Sequence, residues 1–156
     1  MGLQEEVELL RHIPLFAEVE PSKLKLLAFT SERVSFDAEQ VLFSQGDPAN
    51  AAYIIIEGSA DVLVNGPSGQ IKVATLKDHD FVGEIGILCE VPRTASVKAN
   101  TRLTVLRISK ELFFRLLREF PHMAISMMRE LAHRLEQTNS KLHGALSEVE
   151  RLKKAG

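Results

Sequence analysis

The stretch from Phe81 to Val97, FVGEIGILCEVPRTASV, gathers a carboxylate between two glycines, a short apolar turn and an arginine. Gly83 and Gly86 bracket Glu84, and glycine beside such a group supplies a positive φ or lets another group approach the backbone closely. Ile85 to Cys89 is apolar apart from Gly86. One helical turn there would offer an anion free N–H groups and a favourable dipole. Pro92 ends the turn, and Arg93 opens RTASVKA, whose alternation predicts a half-buried strand. Arg93 brings a planar fork of donors suited to two oxygens of one phosphate. Glu84 accepts hydrogen bonds and repels phosphate. Together they suit a ligand that carries both an anion and a neutral hydroxyl, as a nucleotide monophosphate does. An ordinary Glu–Arg ion pair at a sheet edge uses the same residues and is worth little when exposed. Spacing alone favours that plainer reading.

The surrounding chain reads as a scaffold in three parts of one domain, residues 1–30, 31–108 and 109–156. In the first, Gln4 to Arg11 has helical character, and Pro14 stops it before Leu15 and Phe16, which are expected in the core. A short helix starts at Pro21, a favourable first-turn residue, and runs to about Phe29. In the second part, short apolar runs (VSF, VLF, YIII, ADVLV, IKVATL, TASVKA, LTVLRI) alternate with turn clusters such as Gln45-Gly46-Asp47-Pro48, Glu57-Gly58 and Asn65-Gly66-Pro67-Ser68-Gly69. That punctuation predicts an antiparallel jelly-roll β-barrel inside an α+β, mainly β, fold.

In the third part Ser109 is placed to cap a helix ending near Glu119, and Pro121 forces a break. A last helix then runs from about His122 to near Lys153. Its apolar positions Ala124, Met128, Leu131, Leu135, Leu142, Ala145, Val149 and Leu152, with Thr138 filling the gap, form a heptad seam. The first turns are expected to lie back on the domain. Beyond Leu135 little surface remains to cover the helix, so the seam predicts a homodimer through parallel C-terminal helices.

With 156 residues there is room for one domain with a real core, and little for two. Hydrophobic residues at 45% and charged residues at 26% describe an ordinary globular protein. A net charge of −2 gives no electrostatic reason to expect direct nucleic-acid binding. No apolar run approaches the roughly 20 residues a membrane helix needs. The opening MGLQEEVELLRHIPLF lacks a secretory pattern, and Glu6 occupies the position where myristoylation wants Ser or Thr, so a cytoplasmic protein is expected. The lone Cys89 excludes an intrachain disulfide and points to a reducing compartment. Inside the apolar turn it is expected as a buried small hydrophobe, and an iron–sulfur sensor would need more thiolates. His12, His79, His122, His133 and His143 show no paired ligand spacing, and no nucleophile elbow or NTPase phosphate loop is present. Neither a metal nor an enzyme is expected.

FVGEIGILCEVPRTASVKA resembles the phosphate-binding cassette of the cyclic nucleotide-binding domain family, which includes catabolite activator protein, protein kinase A regulatory subunits and nucleotide-gated channels. The segment QGDPANAAYIIIEGSADV is also similar to that family's jelly roll, with Gly46, Gly58 and Gly83 at its turns. The resemblance covers about residue 12 to residue 140. It implies that Glu84 takes a ribose 2′-hydroxyl and Arg93 the cyclic phosphate. Backbone near Gly83, Ile85 and Gly86 would complete the cradle, and Thr94 would add a hydroxyl. In catabolite activator protein the matching long helix presents adjacent hydroxyl residues to adenine, one from each subunit. Thr138 and Asn139 fall there, Asn being a departure whose amide can still donate and accept. A threonine bonded to a carbonyl one turn back is the plainer role for Thr138.

The expected function is therefore a cyclic nucleotide sensor that signals by movement of its C-terminal helix to an unidentified protein effector. Thr94 leans toward cyclic GMP and the helix residues toward cyclic AMP, with the balance on cyclic AMP. A transcription regulator of the family carries a helix-turn-helix domain after the long helix, where this sequence ends at Gly156. A stand-alone sensor, the sensor fragment of a Crp/Fnr-type regulator and a non-binding dimerisation module are the readings left open.

Overall fold

The computed structural model describes residues 2–13, 16–17 and 19–155. Pro14 and Leu15, expected as a helix stop and a core anchor, lie outside the described residues. Two helices, α1 (Leu3–Arg11) and α2 (Pro21–Thr30), precede eight strands. The strands are β1 (Glu32–Phe36), β2 (Val41–Phe43), β3 (Ala51–Glu57), β4 (Ala60–Gly66), β5 (Gly69–Leu76), β6 (Phe81–Val82), β7 (Ser96–Ala99) and β8 (Leu103–Ser109). The short helix α3 (Glu84–Leu88) interrupts them, and α4 (Lys110–Glu119) and α5 (Pro121–Ala155) follow. The strands form two antiparallel four-stranded sheets, ordered β1-β8-β3-β6 and β2-β7-β4-β5.

β3 explains how these layers assemble. Ala51 to Ile56 is apolar without alternation, and all six side chains are buried. Successive strand residues point to opposite faces. Ala51, Tyr53 and Ile55 therefore pack with Ala60, Val97, Ala99, Leu103 and Val105 between the sheets. Ala52, Ile54 and Ile56 join Leu10, Phe16, Leu24, Phe113, Met123 and Met127 beneath the helices. A strand buried on both sides reads as a continuous apolar run. Each large side chain so buried contributes roughly 1.5–3 kcal/mol.

The helix boundaries follow from local chemistry. Ser109 Oγ accepts the Leu112 N–H at 3.2 Å and caps α4. Phe120, which precedes Pro121, leaves the helical region at φ −126° and ψ 81°, because proline's ring disfavours a helical predecessor. Pro121 then starts α5, where its missing N–H costs nothing.

The first turns of α5 bury Met123 and Met127, with Leu131 packed beside them. Leu135, Leu142, Leu146, Val149 and Leu152 are exposed. Among the described residues no helix is long and apolar enough to cross a membrane.

Two local expectations need correction. The strand expected to open at Arg93 begins at Ser96. Arg93 instead bonds the Gly46-Asp47 turn: its N–H donates to Asp47 O and its carbonyl accepts from Gly46 N–H, both at 2.8 Å. Cys89 is exposed rather than buried, because it sits at the C-terminal cap of α3, past Glu84, Gly86 and Ile87, the buried residues of that helix.

Candidate functional site

Gly83 starts the site. It adopts φ 93° at the N-terminal cap of α3, a region that disfavours other residues, and a Cβ there would stand 2.8 Å from Arg93 Nη1. Gly86 serves by its size: an added Cβ would meet Ala49 Cβ at 2.6 Å and Val91 O at 3.1 Å. Both glycines therefore let α3 settle against the chain that carries Arg93.

Arg93 is buried. Its Nη1 donates to Gly83 O at 2.8 Å, its Nη2 donates to Ala51 O at 2.5 Å, and its guanidinium lies 4.1 Å from the centre of the Phe43 ring. Two carbonyls and an aromatic face hold the cation, and its Nε–H is buried without a partner. A buried donor left without an acceptor costs about 1–3 kcal/mol, so this N–H is a candidate contact for a bound acceptor. Burial lowers the pKa of Arg93, opposed by Tyr53 and Asp47, but an arginine remains charged.

Glu84 is also buried, and its partner is Arg134 of α5, with Nη1 to Oε1 at 2.9 Å. The plain sheet-edge pairing of Glu84 with Arg93 is thus replaced by a long-range tie from α3 to α5. Burial pushes the Glu84 carboxyl above its ordinary value. A backbone hydrogen bond and the Arg134 charge pull the other way.

A cavity of about 420 Å³ lies over these groups, within the usual range of roughly 300–1,000 Å³ for small-ligand sites. Gly83, Glu84, Ile85, Gly86, Arg93 and Thr94 all line it. Val62, Ala74 and Leu76 form an apolar wall, and α5 contributes Glu130, Arg134 and Gln137. Thr138 and Asn139 lie outside that lining. Thr138 is exposed, and its Oγ donates to Arg134 O at 2.8 Å. The cavity can hold an anion at Arg93, a hydroxyl at Glu84 and a flat apolar ring between the wall and the helix.

The cyclic nucleotide-binding domain profile matches residues 33–120, more than half of the sequence. The chain belongs to this family. An uncharacterized NTE family protein of Mycobacterium tuberculosis is 33% identical over 129 residues, covering 83% of this chain and 22% of the relative. A cAMP-dependent protein kinase regulatory subunit of Aspergillus niger is 32% identical over 108 residues, 69% of this chain and 26% of that protein. The crystal structure of Thermus thermophilus catabolite activator protein superposes with a TM-score of 0.77 at 27% identity, covering 83% of this chain and 61% of that one. The chain thus spans about a quarter of the length of these two sequence relatives. The family is regulatory and non-enzymatic, and the match to the NTE protein is confined to this module.

For this cyclic nucleotide-binding domain, sequence reasoning placed the cassette residues together and missed Arg134 and Gln137. The available signal was periodicity. Met123, Met127, Leu131 and Arg134 share one helical stripe, so the core-facing side of α5 leads to Arg134 as it leaves the apolar floor.

Proposed function

We propose that this domain is a cytoplasmic receptor for cyclic AMP, with cyclic GMP the weaker ligand, that works as a homodimer and signals through α5 to a protein effector. The observation that carries the reading is the buried Arg93 guanidinium, with its unpaired Nε–H, lining one cavity with Glu84. A cyclic phosphate supplies the acceptor Arg93 lacks. The amides near Ile85 and Gly86 and the Thr94 hydroxyl complete its surroundings. The ribose 2′-hydroxyl donates to Glu84, whose carboxylate has lone pairs beyond the one held by Arg134. The purine lies against Val62, Ala74 and Leu76. The name of the Aspergillus niger relative supports the adenine nucleotide.

Through Arg134 the ribose site is tied directly to α5. A ligand that holds Glu84 ionised and in place favours the α5 position in which Arg134 reaches it, and that differential affinity shifts the balance of helix positions. Thr138 and Asn139 approach the base as the helix closes. The exposed leucines from Leu135 to Leu152 then pair with those of a second copy.

Titration calorimetry against cyclic AMP, cyclic GMP and 5′-AMP tests the reading. The expected result is micromolar or tighter binding of cyclic AMP, weaker binding of cyclic GMP and little heat with the linear control. Absence of heat with both cyclic forms would reduce the domain to a dimerisation module.

A further inference from the structure

We infer that the Phe43 ring is the counter-charge that the protein itself gives Arg93, and that it tempers nucleotide affinity by competing with a phosphate for that cation. The inference rests on the cyclic nucleotide reading above and adds what the phosphate must displace. No carboxylate among the described residues lies within ion-pair distance of the Arg93 guanidinium. Glu84 is bonded to Arg134 instead, and Asp47 acts on Arg93 from farther away. The guanidinium carbon lies 4.1 Å from the centre of the Phe43 ring, inside the range of about 6 Å over which an aromatic face attracts a cation. Such a contact is worth most on a cation withdrawn from water, and Arg93 is buried.

The fold aims that ring. Val41 pairs with Lys98 of β7 but Phe43 pairs with Val97, so two residues of β2 advance against one of β7. A bulge of this kind redirects the side chain that follows it. Val41 is accordingly exposed, while Phe43 packs against the core between the sheets and lines the cavity. Tyr53 supports the ring from β3, with centroids 5.8 Å apart and planes at 28°. An aromatic face takes up no N–H, which leaves the Arg93 Nε–H for an acceptor. A phosphate at that edge takes up part of the positive charge, so the attraction between cation and ring is weaker in the complex than before binding. Phe43 therefore stabilises the domain without nucleotide more than the domain with it, and the difference is subtracted from the binding affinity.

The test replaces Phe43 site-specifically by phenylalanines bearing one, two and three ring fluorines, which drain the ring face and barely alter its shape. Without nucleotide, Tm by far-UV circular dichroism should fall with each fluorine, reaching about 2–4 °C below wild type. In an Arg93→Gln background, which removes the charge and keeps a donor, the same series should move Tm by less than about 1 °C. In calorimetry on the full chain, cyclic AMP should bind the trifluorinated form about threefold tighter than wild type. A ring that only fills space would leave Tm and affinity flat across the series, and that result overturns the inference. So does a fall in Tm as large with Arg93→Gln as without it, or cyclic AMP binding that weakens as fluorines are added. Should Arg93→Gln fail to fold, the calorimetry decides alone, since it needs only the chain that carries Arg93. If wild type binds neither cyclic nucleotide, the receptor reading fails and this inference with it. If wild type binds cyclic AMP and the trifluorinated form binds it equally, only this inference fails.

Discussion

Arg134→Ala should destabilise the domain in a way that depends on pH, because it strands Glu84. The carboxylate side chain is 4% exposed and the guanidinium 43% exposed, with 2.9 Å between Oε1 and Nη1. At an effective dielectric of about 20 the gross attraction at that distance is about 6 kcal/mol. Little of it is net. Removing one partner of a fully buried pair costs about 3–5 kcal/mol, and an exposed pair is worth about 0–1 kcal/mol. With one partner buried and the other half in water, a loss of about 1–2 kcal/mol near neutral pH is expected, or roughly 3–6 °C in Tm. Without Arg134 the Glu84 carboxyl, already raised by burial, rises further, so protonation limits the loss and the deficit shrinks in mild acid. Far-UV circular dichroism suits the assay, since the helices give the signal and the sequence has no tryptophan. Urea unfolding of wild type, Arg134→Ala, Glu84→Gln and the double variant closes a thermodynamic cycle. A coupling under about 0.3 kcal/mol, or a deficit equally large in the Glu84→Gln background, would refute the argument that this pair ties α5 to the cassette.

Four further outcomes follow from the same geometry. Arg93→Ala should abolish nucleotide binding and also lower stability by about 2 kcal/mol or more, because Gly83 O and Ala51 O lose charge-assisted donors. Arg93→Lys, which keeps the charge without the fork, should recover part of the stability in urea melts and less of the affinity. Because Glu84 has a raised folded pKa, the native state holds more protons than the unfolded state between the ordinary value of about 4.3 and that raised value. Its contribution therefore makes stability fall as pH rises through that window, and Glu84→Gln should flatten that slope in urea unfolding measured from about pH 4 to pH 7. Leu135→Asp with Leu142→Asp should give a monomer by light scattering with the domain still folded, since both side chains are exposed in the single chain; a double variant that remains dimeric would refute the seam.

The strand and helix pattern was legible because each element carries its own period and its own stops. Pro21, Ser109 and Pro121 act on neighbours a few residues away, and the structure has helix boundaries at each of them. The cassette was legible for a related reason. The needs of Gly83 and Gly86 are local backbone conformation and local clearance, which a residue type announces by itself. β6, only two residues long, was missed, since Phe81–Val82 is too short to display a period. Cys89 was misplaced because apolar neighbours in sequence do not say which side of a single turn faces outward.

What the sequence determined alone is the elements other than β6, their order, and the carboxylate, glycines and arginine of the cassette. What only the tertiary structure decided is whom those charges meet. Arg93 is held by a carbonyl of β3 and the ring of Phe43, and Glu84 is held by Arg134 from a helix 50 residues further along. The partners of Arg93 are set by how its segment packs against β2 and β3, and the partner of Glu84 by where α5 crosses the cassette. Burial makes an unpaired charge costly, and the chain satisfies it with whichever donor or acceptor the fold brings within reach, near or far in sequence.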